Sequence, residues 1–417
     1  RRSLVFDSMQ RVRHLPFFTE LASLEETDPW WRAVSAGLVF LRLVDSWIDE
    51  GGDAVTADGW GIRSVAACLE EMPAGMPARA ILVSALDMLT SARSGDMHTV
   101  APRIMAYARS LDLDGKWALA ADVYDTVLAH IHPEEESEIA VNALLRRGHC
   151  LRELGDFTDA TEAFTTAAEL AHRTGDMIGT LRARIGEAKI VVARGNLPAA
   201  DAMLHDTVIL ADQHELTEVS SLATHDRSYI AFASGKYDLA VQYAYEALHG
   251  SVIESERDRI LHDLAGAFYM LGVKSAARDA FLILAATARE QYHRWTATIN
   301  LMELSAEDGM QINFERYRQQ LVNVALPPIL LTQFELHVGR GYQALGDEES
   351  ASTWLERALA TATHHAFNRF VFAAEAALSA SPAVRTNAPV ESARDFPRDI
   401  QRIATELSEM RRLSGVS

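Results

Sequence analysis

Residues that could do chemistry are few in this 417-residue chain. His130-Ile131-His132 followed by Glu134, Glu135 and Glu136 has the donors of a metal site. It also lies where one helical pattern ends and the next begins. Histidine at a helix C-terminus and glutamate in the following first turn each offset a helix dipole, which accounts for these residues without an ion. His364-His365 reads the same way. Ser234-Gly235-Lys236 lacks the upstream glycine of a phosphate loop, and Gly59-Trp60-Gly61 follows no strand pattern. Neither HExxH nor a paired CxxC occurs. An enzyme would have to draw on His149, His225 and His262 in a deep pocket. The expectation is no catalytic residue, no metal and no cofactor.

These residues sit in a repeated element, seen most clearly from Asn142 to Ala171. Leu144, Leu145, Gly148, Leu151 and Leu154 recur at helical spacing, Gly155-Asp156 breaks the pattern, and Phe157, Ala160, Phe164 and Ala167 form the next stripe. The break glycine recurs: Gly115, Gly155, Gly195 and Gly235 are 40 residues apart, and Gly235, Gly272, Gly309 and Gly346 are 37 apart. Five residues beyond it stand Ala120, Ala160, Ala200, Ala240, Ala277 and Ala351, with Phe314 the exception. Nine residues beyond stand Tyr124, Phe164, Leu204, Ala244, Phe281 and Leu355. Columns in phase mean copies of one helical hairpin.

The pattern resembles the tetratricopeptide repeat. Gly148, Leu151, Gly155, Phe157, Ala160, Phe164 and Ala167 carry the resemblance best, followed by Gly339, Tyr342, Gly346, Ala351, Leu355 and Ala358. The early period is 40 against the usual ~34, the closing proline is mostly missing, and Ala108, Ala188, Ser228 and Ala265 replace the first glycine. The resemblance covers about residues 97–380. It implies an all-α, right-handed superhelical solenoid of antiparallel helix pairs, which we expect to be capped by helices at both ends. It brings no catalytic residue with it.

The resemblance also implies that the first helix of each pair lines a concave face through the second, fifth, ninth and twelfth positions of the unit. Projected here, those positions include Asn142, His149 and Arg152; Arg182 and Lys189; His225 and Tyr229; Arg259, His262 and Tyr269; and Arg340. Across five units the twenty positions hold five Arg or Lys, three His and no Asp or Glu. The overall composition, 58 acids in 417 residues, would place about three acids there. The expectation is a locally basic groove that concentrates an anionic ligand, with Arg152, Arg182, Lys189, Arg259 and Arg340 as anion contacts. Asn142, His149, Tyr229 and Tyr269 would orient the ligand. The alternative is that acids on neighbouring helices, such as Glu153 and Glu187, pair with these cations and cancel the field.

Composition narrows the partners. A net charge of −19 argues against general binding of nucleic acid or anionic membranes. The longest apolar run, around Ala36–Leu43, is interrupted by Arg42 and Asp45, short of the ~18 residues that span a bilayer. Cys68 and Cys150 fit free thiols in a reducing cytosol. No signal peptide is visible, and the Arg-Arg start without methionine leaves room for an upstream domain.

In chain order, residues 1–96 read as an N-terminal helical cap with a degenerate repeat at 60–93. Asp28-Pro29 caps a helix from Trp30 to about Ile48 that is ended by Gly51-Gly52, and Trp30, Trp31, Trp47 and Trp60 are expected to seal that end, the alternative being an aromatic binding surface. Residues 97–380 form about seven units, weakest near Gly309 and Pro327-Pro328. Residues 381–417 are a proline-containing linker and a helix through Ile400, Ile403, Leu407 and Met410 that folds back on the last repeat. The functional expectation is a non-enzymatic, cytoplasmic scaffold or adaptor for an acidic peptide or protein segment. The alternative is the ligand-sensing repeat domain of a larger bacterial signalling or transcription regulator.

Overall fold

The computed structural model describes residues 12–49, 59–91, 96–365, 367–379 and 396–416. The Arg1-Arg2 start, Gly51-Gly52 and the linker residues 381–395 lie outside these residues. Twenty helices and no strand occur among the described residues. In order they are α1 (Leu15–Ser23), α2 (Pro29–Asp49), α3 (Trp60–Glu71), α4 (Pro77–Ser91), α5 (Met97–Leu113), α6 (Trp117–His130) and α7 (Ser137–Glu153). Then come α8 (Phe157–Thr174), α9 (Met177–Ala193), α10 (Leu197–Gln213), α11 (Thr217–Ala233), α12 (Tyr237–Gly250), α13 (Glu254–Leu271) and α14 (Lys274–Thr287). The last are α15 (Gln291–Glu307), α16 (Gln311–Leu321), α17 (Pro328–Leu345), α18 (Glu348–His364), α19 (Asn368–Ser379) and α20 (Arg398–Leu413).

The repeat glycines are the punctuation of this series. All seven, from Gly115 to Gly346, have φ between 69° and 90°, where a side chain would strain the backbone. At Gly155 the Asp156 N–H reaches back to the Leu151 carbonyl at 2.9 Å, closing the end of α7. Asp156 then accepts the Asp159 N–H and starts α8. The turn between α10 and α11 has Glu215 in the same conformation, φ 57°. Glu215 is exposed, so Glu215→Gly is expected to stabilise the fold by about 0.5–1 kcal/mol, measured as a rise in urea midpoint.

The chain divides into two compact units, residues 1–203 and 204–417, with the boundary inside α10. In the first, successive helices from α1 to α9 pack on one another, and α5, α7 and α9 also touch directly. Helices α5, α7 and α9 therefore make one layer, and α6 and α8 lie behind them. Phe164 on α8 is the central knob: it is buried and faces Gly148 on α7 and Gly186 on α9.

At the N-terminal end Asp28 Oδ1 accepts the Trp30 N–H at 2.8 Å, capping α2 as its sequence implies. Phe17 and Trp47 are buried there and Trp30 packs against the same core, while Trp60 is 79% exposed. Helices α1 and α2 pack on α6. His130 is used structurally at this contact, with Nε2 2.9 Å from Asp45 Oδ1. The His132 N–H instead donates to Glu136 Oε2 at 3.0 Å. No group of metal-ligating side chains with suitable geometry occurs among the described residues.

In the second unit α11, α13, α15, α17 and α19 form the odd layer. Here the expected C-terminal cap needs correction. Helix α20 does fold back, but onto α12 and α14 rather than the last repeat. The reason is that the last pair is already closed: Phe370, Ala374 and Ala377 of α19 bury against Leu355, Ala358 and Ala362 of α18. Ile400, Ile403 and Leu407 of α20 instead join the core that holds Val241 and Leu284, and Arg411 pairs with Asp279 at 3.3 Å. Cys68 and Cys150 are free thiols, the latter pushed up to about 12 chiefly by burial. Among the described residues no helix is long and apolar enough to cross a membrane.

Candidate functional site

The expected contact residues lie on odd helices: Asn142, His149 and Arg152 on α7, Arg182 and Lys189 on α9, His225 and Tyr229 on α11, His262 on α13 and Arg340 on α17, with Arg259 and Tyr269 also on α13. Their charge state differs between the two units.

In the second unit most of these side chains face carboxylates, whereas Arg340 is exposed and makes no ion pair among the described residues. Arg259 pairs with Glu256. Buried His225 donates to Asp263 Oδ2 at 2.9 Å, and His262 Nδ1 lies 3.3 Å from the other oxygen. Burial would raise the Asp263 carboxyl, but these two bonds hold it well below its usual range. The Tyr269 hydroxyl donates to Glu307 at 2.5 Å; burial, then this bond, raises its pKa. Burial would raise the Glu303 carboxyl, but His337, with Nδ1 3.2 Å away, and then the charge of Arg340 lower it. Tyr229 is 56% exposed. This layer is balanced rather than basic.

The positional rule itself explains the miss. The Gly309 unit was not among the five projected, and the same rule puts Glu303 on that face of α15. Applied to the Gly115 unit it yields Arg109 and Asp112. Asp263 sits one position from His262, and a helical face is wider than one column.

In the first unit the balance is uneven. Asp112 is buried and accepts from Arg109 at 2.6 Å; His149 Nε2 lies 3.2 Å from its other oxygen. Arg152 pairs with Glu153 and also meets His149 at 3.2 Å. Lys189 is half-buried on α9 and has a partner. Arg182 and Asn142 are exposed and have no side-chain partner. Arg146, absent from the projected positions, is half-buried with no hydrogen bond or ion pair. Burial, then the charge of Arg109, lowers its pKa, and Arg182 adds to the effect.

Between α7 and α9 lies a cleft of about 410 Å³. Val141, Leu145 and the exposed Ile178 give its lining an apolar part, and Asn142 and Arg182 line it beside them. Glu138 and Asp176 close the end formed by the first turns of the two helices. Most of the lining is polar, with Ser137, Glu138, Asn142, Thr174, Asp176 and Arg182 around the three apolar side chains.

No curated protein sequence matches the chain. Among solved structures it is similar to the Rap conjugation gene regulator of the plasmid pLS20 in complex with the Phr* peptide. The two are 14% identical over 81% of this chain and 97% of that one, with a TM-score of 0.49. A Rap protein complexed with competence and sporulation factor is 13% identical, over 82% and 99% of the two chains, with a TM-score of 0.48. The apo form of the quorum sensor NprR from B. thuringiensis is 14% identical, over 77% and 99%, with a TM-score of 0.47. Residues 141–172 match the family model described as tetratricopeptide repeat. That segment carries nearly all of α7 and α8, so one wall of the cleft is a tetratricopeptide repeat, set in an all-α array of similar hairpins.

Proposed function

We propose that this protein binds a peptide or protein segment on the odd-helix face of its first unit, in the cleft between α7 and α9. The observation that carries this reading is that Asn142 and Arg182 line the cleft without internal partners, beside the apolar side chains of Val141, Leu145 and Ile178. A side-chain amide can donate and accept at once, which suits a peptide group of an extended segment. A guanidinium forks onto a carboxylate. Val141, Leu145 and Ile178 supply apolar contact area for a ligand side chain. The anion preference rests on Arg182 in the cleft lining and on Arg146 just beyond it; Arg259 of the second unit, paired with Glu256, does not add to it. The protein acts as a binding scaffold rather than through bond-making chemistry.

The test is a pool of synthetic peptides containing Asp and Glu, with affinity measured for the wild type, Arg182→Glu and Asn142→Ala. Both residues are exposed, so the variants are expected to melt at the wild-type temperature. Arg182→Glu is expected to weaken binding by about tenfold or more, and Asn142→Ala by less. Affinity unchanged in Arg182→Glu, or no peptide retained by the wild type, overturns the proposal.

A further inference from the structure

We infer that Arg146, with Arg182 beside it, receives a carboxylate of the bound segment, and that Glu138 and Asp176 face a cationic group of the same segment, so the ligand lies along α7 in one direction. This rests on the cleft being a peptide site and adds to it which charges meet and which way the ligand points.

The short turns between α7, α8 and α9 make α7 and α9 parallel, so the two walls of the cleft run the same way. Both carry acid at the first turn and a cation further along. On α7, Glu138 precedes Arg146 by eight residues, a rise of about 12 Å. On α9, Asp176 precedes Arg182 by six residues, about 9 Å. The charge order thus repeats along both helices, with Arg182 lining the cleft and Arg146 lying just beyond its lining, next to Leu145. An extended segment covers about 3.3 Å per residue, so groups three or four residues apart match this separation.

The acidic end by itself has a simpler account. Asp176 caps α9 by accepting the Gly179 N–H at 2.8 Å, and Glu138 sits where a helix dipole favours acid. Helix chemistry does not account for Arg146. It lies in the middle of α7, one turn beyond Asn142 on the same face. It is partly withdrawn from water, and its neighbours Arg109 and Arg182 repel it. The nearby carboxylate of Asp112 is already shared by Arg109 and His149. A charge held this way lowers stability unless an oxyanion meets it. Arg146 is therefore suited to binding rather than to folding.

That contrast gives the test. Arg146→Met keeps the apolar stem and removes the charge, so the melting temperature is expected to stay level or rise. Three pools of synthetic hexapeptides separate the possible sources of the carboxylate. One has a free C-terminus and no acidic side chain, one an amidated C-terminus and a single Asp or Glu, and one neither. Wild-type protein is expected to hold the third pool least. Arg146→Met is expected to weaken the first or the second by about tenfold while leaving the third unchanged. The pool that loses affinity identifies the carboxylate as terminal or side-chain. N-acetylation and removal of Lys and Arg from the best binders test the cationic end in the same way, and each effect should vanish in Glu138→Gln/Asp176→Asn. If Arg146→Met melts lower, or treats all three pools alike, the inference fails. Should Arg182→Glu still lose affinity in that case, the peptide-site reading stands alone. If no pool is held by wild-type protein, both fall.

Discussion

Phe164→Ala is expected to lower the stability of the first unit by about 3–4 kcal/mol, the largest effect of any single side chain discussed here. Phe164 is 4% exposed and joins Leu151, Ala160 and Ile190 in a small core. Its ring occupies space that two helices leave open. A Cβ at Gly148 would come within 2.9 Å of it and a Cβ at Gly186 within 2.3 Å. The ring therefore sets how closely α7 and α9 pack on α8, and through them the walls of the cleft. In an array whose elements touch only their neighbours, this loss is local before it is global. Hydrogen exchange should show faster amide exchange in α7–α9 than in α2–α4. Gly186→Ala, the reverse error, overfills the same place and is expected to cost about 1–3 kcal/mol. Combining it with Phe164→Leu should cost less than the two changes summed, because the smaller side chain gives the new methyl room. Strict additivity, or exchange that quickens evenly over the whole unit, would contradict this packing account.

The second large effect concerns the N-terminal end and is read through pH. His14 is buried, has φ 59°, and bridges two carboxylates on two other helices. Nδ1 is 2.7 Å from Asp122 of α6, and Nε2 is 3.2 Å from Asp45 of α2. Arg13 and His130 also face Asp45, at 3.0 Å and 2.9 Å. Burial alone would lower the His14 pKa; the bonds to Asp122 and Asp45 outweigh it and raise it from 6.5 to about 9. Burial would likewise raise Asp45, but its bonds to His130 and His14 hold it well below its usual range.

The two shifts have opposite signs in pH. The His14 contribution is complete below the unfolded value of 6.5 and is lost as pH rises through about 9. The Asp45 contribution is complete above the unfolded value of 3.8 and is lost as pH falls through its depressed folded value. Stability of this end should therefore be greatest between about 4 and 6.5 and fall by about 2–3 kcal/mol on going to pH 9. His14→Asn, which tolerates the left-handed backbone, is expected to remove that fall and to lower stability near pH 6 by a similar amount. Melting curves taken from pH 5 to 9.5 on both proteins check this. A wild-type curve that is level from pH 6.5 to 9 would refute the bridge.

What was legible in the sequence is what local periodicity controls. Break glycines, small residues at helix crossings and stripes at helical spacing are set by neighbours in the chain. They specify α7, α8 and the left-handed turn at Gly155 without any distant partner. Gly148 and Ala160 could be read as places of close approach for the same reason, being small. The inward faces were legible only as columns, and a column is narrower than a face. Arg146 lies one position from the projected Leu145, and Asp263 one position from His262. Whether a column carries net charge depends on which side chains from adjacent helices meet it, and that is settled in space: Arg259 found Glu256 and Arg340 came near Glu303, whereas Arg182 met no acid. The docking of α20 on α12 and α14, and the bridge from His14 to Asp122 across 108 residues, were likewise decided only by the tertiary structure. In each, the partner is chosen by which apolar or charged surface remains uncovered once the repeats have stacked, and no spacing along the chain encodes that.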